Sequence, residues 1–141
     1  MANVSKKPLK EETQDKIEKT FADFVGALTA DEADDFYRSF FTESEQIMLT
    51  KRLAIIILLT KGAPYAHIAT VLNVSPATVR RIDNWKKDGR YDEFMKIASG
   101  SEDGFADRLW TLLRILIEEN IHHYGATGWR WLDRAKKELD L

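Results

Sequence analysis

Apolar side chains at Ile68 and Leu72, four apart, are followed by Val74 and then by Val79 and Ile82, three apart. This spacing predicts two short helices closed over one small core between Tyr65 and Asn84. Ala69 is small where the two helices approach, and Asn73 stands where the turn calls for a residue that tolerates positive φ. Ser75 is placed to cap the second helix, with Pro76 at its first position, where a missing N–H is harmless. Periodicity and capping agree on one boundary, and the pattern is that of a helix-turn-helix.

The same periodicity predicts helices along the rest of the chain. Glu11 to Leu28 carries Ile17, Phe21, Phe24, Val25 and Leu28 at amphipathic spacing, behind an acidic start that suits the helix dipole. Asp31 to Phe41 reads as a shorter helix capped by Asp31 or Thr29, with Phe36, Tyr37, Phe40 and Phe41 as bulk. Thr42 followed by Glu45 is a capping box that opens a third helix, running to about Lys61 and ended by Gly62. Leu53 to Leu59 has no polar face, so burial on every side is expected. A domain this small covers only about 60 to 70% of its unfolded surface, so a second subunit is the expected cover.

After Asn84 the second motif helix can continue to Lys87, before Asp88-Gly89 breaks it. Tyr91 to Ala98 predicts a short helix, and Ser99 to Gly104 a loop that could bound a domain. Phe105 to Ile121 predicts a long helix with Leu109, Leu112, Leu113, Leu116 and Ile117 on its apolar side. Gly125 to Gly128 interrupts it, and Thr127 is placed to cap a last helix holding Trp129, Trp131, Leu132, Ala135 and Leu139. No strand signal, internal repeat or low-complexity tract is visible, so the fold class is all-α.

Composition narrows the function classes. The chain has 141 residues, 44% of them apolar, enough for one domain with a core. It has no cysteine, hence neither a disulfide framework nor a thiolate metal site, which fits a cytoplasmic location. Residues Met1 to Lys10 are polar, without the apolar stretch of a signal peptide, and the longest apolar run, Leu53 to Leu59, is far short of the roughly 20 residues that span a bilayer. No membrane partner is expected. The net charge is −2, yet Lys61 to Arg90 holds six basic residues against two acidic ones. That stretch is therefore at +4 and the remainder at −6. Local positive density is what displaces counterions from DNA, so the overlap of this stretch with the helix-turn-helix points to double-stranded DNA as the partner. The expected organisation is a flexible N-terminus over 1–10, a DNA-binding and dimerisation domain over 11–98 with the motif at 65–84, and a C-terminal helical extension over 105–141.

The segment from Phe41 to about Asn84 resembles the tryptophan repressor superfamily. The matching pieces are Phe41-Thr42-Glu43-Ser44-Glu45 opening a helix, Leu49, Arg52, the apolar run ending at Lys61-Gly62, and Ala77-Thr78-Val79-Arg80-Arg81 within the motif. The resemblance implies an all-helical fold, an intertwined homodimer and a DNA-binding transcriptional regulator. Thr42, Arg52 and Arg81 fall on positions that line the ligand pocket in the tryptophan-binding member, the two arginines flanking the indole. Ile82, however, replaces a glycine that leaves room for the ring, and Trp85 replaces a small serine. The resemblance thus outlines a possible effector pocket of Thr42, Arg52, Arg81, Ile82 and Trp85 whose effector is unknown. Free tryptophan is not expected to be that effector, with Trp85 as a built-in plug. The alternative is that Arg52 and Arg81 are ordinary surface or salt-bridged residues.

A recognition helix presents its first outward residues to base edges. Here these are Ser75, Ala77, Thr78, Arg80 and Arg81, with Arg80 best suited to guanine O6 and N7. Tyr65, His67, Lys61, Lys86 and Lys87 are placed for phosphate contacts, which set register without specifying sequence. The leading expectation is a homodimeric repressor reading a palindromic operator in the major groove. A protein-interaction module built on the same core is the alternative. A transposase or recombinase fits less well, since only about 57 residues follow the motif. No enzyme is expected, because no phosphate-binding glycine loop, nucleophile elbow or zinc-protease motif occurs. Glu118 and His122, with His123 adjacent, supply too few ligands for zinc, so no metal or cofactor is expected. Trp110, Trp129 and Trp131 could form a stacking platform, although aromatics at helical spacing are more often core.

Overall fold

The computed structural model describes residues 7–102, 104–120 and 130–139. Its secondary structure among these residues is entirely helical, in eight helices. The chain divides into two compact units, one ending at Gln46 and the other beginning at Ile47. The division therefore falls within the third helix and not in the 99–104 loop.

The first unit holds α1 (Glu11–Gly26), α2 (Ala30–Phe40) and the start of α3 (Glu43–Thr60). The side chain of Thr29 caps α2 by accepting from the Glu32 N–H at 3.3 Å, which decides between the two caps the sequence offered. The Thr42 capping box forms in both directions: Thr42 N–H donates to Glu45 Oε2 at 2.8 Å, and Glu45 N–H donates to Thr42 Oγ1 at 3.2 Å. Gln46 ties the α2–α3 turn by donating to the carbonyls of Phe41 and Arg38 at 2.8 and 3.1 Å. Between α1 and α2 the rings of Phe21, Phe24, Phe36 and Phe40 associate, with Phe36 and Phe40 stacked at 4.9 Å. Neither helix has a buried residue.

The second unit contains the core. The middle of α3, Ala54 to Leu58, is buried on every side. Its neighbours in the same cluster are Ile68, Ala69, Val79, Ile82, Trp110, Leu113, Ile117, Trp131, Leu132 and Ala135. The all-round apolar run is thus buried within one chain, contrary to the expectation that a second subunit must cover it. The cover comes from α4 (Tyr65–Leu72), α5 (Pro76–Lys87), α7 (Phe105–Asn120) and α8 (Arg130–Leu139), whose side chains fill this cluster. The C-terminal helices consequently belong to the core of the unit that carries the helix-turn-helix. On α7 the buried stripe is Trp110, Leu113 and Ile117, while Leu112 is 65% exposed. That corrects the expected apolar side: the apolar arc is wider than the face the fold buries. The α6 helix (Asp92–Gly100) packs against α7. The predicted cap at Thr127, the glycine break at Gly125 to Gly128, and Trp129, His122 and His123 lie outside the described residues.

Candidate nucleic-acid interface

The two helices of the motif form as the sequence pattern requires. The α4 helix ends at Asn73, whose φ of 51° and ψ of 56° are left-handed, and Val74 N–H then donates to the Ala69 carbonyl at 2.9 Å. Asn tolerates this conformation better than most residues. Lys51 reaches across from α3 to donate to the Asn73 carbonyl at 3.2 Å, satisfying an acceptor that the turn leaves open. Ser75 caps α5, accepting from the Thr78 N–H at 3.1 Å, with Pro76 in the first turn. Val79 and Ile82 fix the inner face of α5 against Ile68 and Ala69.

This arrangement leaves one side of α5 open. Ser75, Ala77, Arg80 and Arg81 are exposed, and Thr78 is half-buried with its hydroxyl 2.9 Å from that of Ser75. Arg80 has no hydrogen-bond or ion-pair partner among the described residues. Lys86 continues the same basic stretch.

The other residues expected to meet phosphate are engaged within the chain. The Tyr65 hydroxyl donates to the Asp83 carboxylate. Lys87 ion-pairs with the same carboxylate oxygen at 3.0 Å. His67 Nδ1 accepts from the Trp131 indole N–H at 2.8 Å, so its ring is tied to α8 in the neutral form with the proton on Nε2. Lys61 lies over the face of Trp110, its Nζ 5.4 Å from the ring centroid. The sequence placed all four at helix ends but gave no view of partners brought from elsewhere in the fold.

Asp83 is the residue sequence reasoning missed. It is 8% exposed and is the buried charged residue of the core-facing side of α5. A signal was present: Asp83 lies four residues after Val79 on the apolar face, and Lys87 four residues further on. Burial works to raise its carboxyl, yet hydrogen bonds from Tyr65 and Lys87 and the charges of Lys87 and Lys86 outweigh it and hold the group below its ordinary range. The Tyr65 hydroxyl is pushed up, chiefly by its hydrogen bond to Asp83. Lys87 is raised for the same reason.

Four of the five residues expected to form an effector pocket come together. Arg52, Arg81, Ile82 and Trp85 line a cavity of about 100 Å³ with Lys51, Ile55 and Val74. Ile82 is core, and the guanidinium groups of Arg81 and Arg90 lie over the Trp85 ring, 5.6 and 4.5 Å from its centroid. The fifth, Thr42, belongs to the first unit, where it caps α3. Among the described residues no group of three or more metal-ligating side chains converges, and no helix is long and apolar enough to cross a membrane.

Two short helices held at a left-handed turn, with a capped and basic second helix open on one side, define a helix-turn-helix protein. The chain belongs to the Trp repressor protein family, which it matches over residues 15–99. That family consists of DNA-binding regulators. The match is wider than the 41–84 stretch that carries the resemblance, taking in α2 and most of α1 and α6. No curated protein and no solved structure gives a significant match.

Proposed function

We propose that this protein is a non-enzymatic, sequence-specific transcriptional repressor that binds a palindromic operator as a homodimer through α5. The observation that carries the reading is the open face of α5, which follows the left-handed turn and the Ser75 cap and carries Ser75, Ala77, Thr78 and Arg80, the last without a partner among the described residues. Lys86 supplies phosphate contact beyond them. In this reading Arg81 serves the Trp85 stack, and Tyr65, His67, Lys61 and Lys87 serve the internal structure more than the DNA. The test is selection of duplexes from a randomised pool, followed by titration of the winners in increasing salt. The reading expects enrichment of a two-fold symmetric sequence and affinity that falls steeply with salt. Salt-insensitive or absent DNA binding would favour a protein-interaction module, and metal-dependent cleavage of the duplex would indicate a recombinase.

Free tryptophan is not the effector in this reading. A cavity of about 100 Å³ is well below the roughly 300 Å³ at which ligand sites begin, and the Trp85 side chain is part of its wall. Calorimetric titration with tryptophan should give no saturable heat at micromolar concentration. Saturable binding there would sink the assignment of Trp85 as a plug.

A further inference from the structure

Lys86 and Lys87 are adjacent, both in the last turn of α5, and differ in their partners. Lys87 Nζ lies 3.0 Å from Asp83 Oδ2, one turn back on the same helix, whereas Lys86 has no ion pair among the described residues. The Asp83 side chain is only 12% exposed, and the Tyr65 hydroxyl, from the first residue of α4, donates to the same carboxylate oxygen. One buried carboxylate therefore joins the start of the first motif helix to the end of the second.

We infer that Asp83 is a positioning residue of the DNA-binding surface: it withholds the Lys87 ammonium from DNA phosphates and, through Tyr65, pins α5 to α4. The inference rests on the DNA-binding reading above. Its physical basis is the penalty for an unpaired buried charge. A phosphate that drew Lys87 away would leave the Asp83 carboxylate, only 12% exposed, with one neutral donor, a cost that falls on the buried end of the pair while the Lys87 end is 65% exposed. Lys86, half-buried beside it, has no ion pair among the described residues, so no such penalty holds its ammonium back from phosphate. The sequence shows two equivalent lysines; the fold makes one a DNA ligand and the other an internal counterion. The Tyr65 hydrogen bond adds direction, because it fixes α5 relative to α4 and so aims Arg80 and its neighbours.

The experiment is a salt titration of the full-length protein on a random-sequence duplex. Each phosphate contact contributes about 0.9 to the slope of log K against log salt. Lys86→Gln should lower the slope by about that amount, and Lys87→Gln should leave it unchanged. Asp83→Asn, which keeps an acceptor for Tyr65 but removes the charge, should free Lys87 and raise the slope by about 0.9. Its affinity would then fall about 3.5-fold more than that of the unaltered protein between 50 and 200 mM salt. Asp83→Asn combined with Lys87→Gln should return to the original slope, which mere loss of a negative charge would not do. Tyr65→Phe should weaken binding to a selected duplex without changing the slope. Lys87→Gln is at an exposed position and decides the matter even where Asp83→Asn does not fold. If Lys87→Gln lowers the slope as Lys86→Gln does, the inference fails while the DNA-binding reading stands. If the unaltered protein binds no duplex, the reading fails and the inference with it.

Discussion

At the scale of single residues, this protein separates basic side chains that face outward from those its own fold has claimed. Arg80 is exposed and has no partner among the described residues, and its guanidinium can pair bidentately with guanine. Arg80→Ala should weaken binding to a selected site by about 1 to 3 kcal/mol and relax preference at one base pair, while Lys86→Ala should weaken all sequences alike. Competition assays with selected and random duplexes check both, and equal losses of both variants on the two duplexes would show the assigned roles to be wrong. His67 gives a prediction with a pH window. Burial holds its imidazole below the ordinary value of 6.5, and the neutral ring accepts the Trp131 N–H. A folded-state value below the unfolded one means that the unfolded chain takes up the proton first as pH falls. The stabilisation is therefore fully present above pH 6.5 and is lost as pH drops through the lower folded value. Urea unfolding at pH 7.5 and at pH 5.5 should show the loss, and His67→Gln should flatten it between those two values. Asp83, also held low, acts only beneath its ordinary 3.8 and leaves this window clear.

At the scale of elements, most of the architecture could be read from local signals because local signals cause it. The Thr42 capping box, the left-handed Asn73, the Ser75 cap and the Gly62 stop are contacts within five residues, and each formed where its residue type required. Ser75→Ala removes an acceptor from the first turn of α5 and should lower stability by about 1 kcal/mol. Denaturant unfolding would measure it, and Ser75→Asp should restore the value where Ser75→Gly recovers most of it; no loss in Ser75→Ala would mean that the Ser75 hydroxyl does not cap α5. What could not be read locally depends on distant partners. Leu112 fits the helical stripe of α7 as well as Leu113 does, yet it is exposed where Leu113 is buried against helices distant in sequence. The Asp83 clamp needs Tyr65, 18 residues away, and the His67 tie needs Trp131, 64 residues away. The candidate reading surface was legible because it lies on one capped helix. Its internal tethers were not, since each joins two helices whose approach is a property of the tertiary fold.

At the scale of the molecule, the apolar surface suited to a dimer lies on α1 and α2 and not on α3. The apolar centre of α3 is buried in the second unit without help. The first unit instead leaves Ile17, Phe21, Phe24, Val25 and Phe40 between 40 and 61% exposed, on two helices with no buried residue. A lone pair of short helices holding that many exposed rings is marginal in water, and contiguous apolar faces of this kind mark association sites. A second copy of the chain would meet the same face with the same rings, as a two-fold interface requires. The unaltered protein should sediment as a dimer at micromolar concentration, and Phe24→Ser with Phe40→Ser should shift it to monomer. The core of the second unit contains neither residue, so its thermal transition should survive the change. The same variant should lose the symmetric operator, because two recognition helices about 34 Å apart on successive major grooves can be supplied only by two chains. Sedimentation as a monomer at every concentration, with full affinity for a symmetric site, would remove the dimer from this account and leave each α5 to read DNA alone.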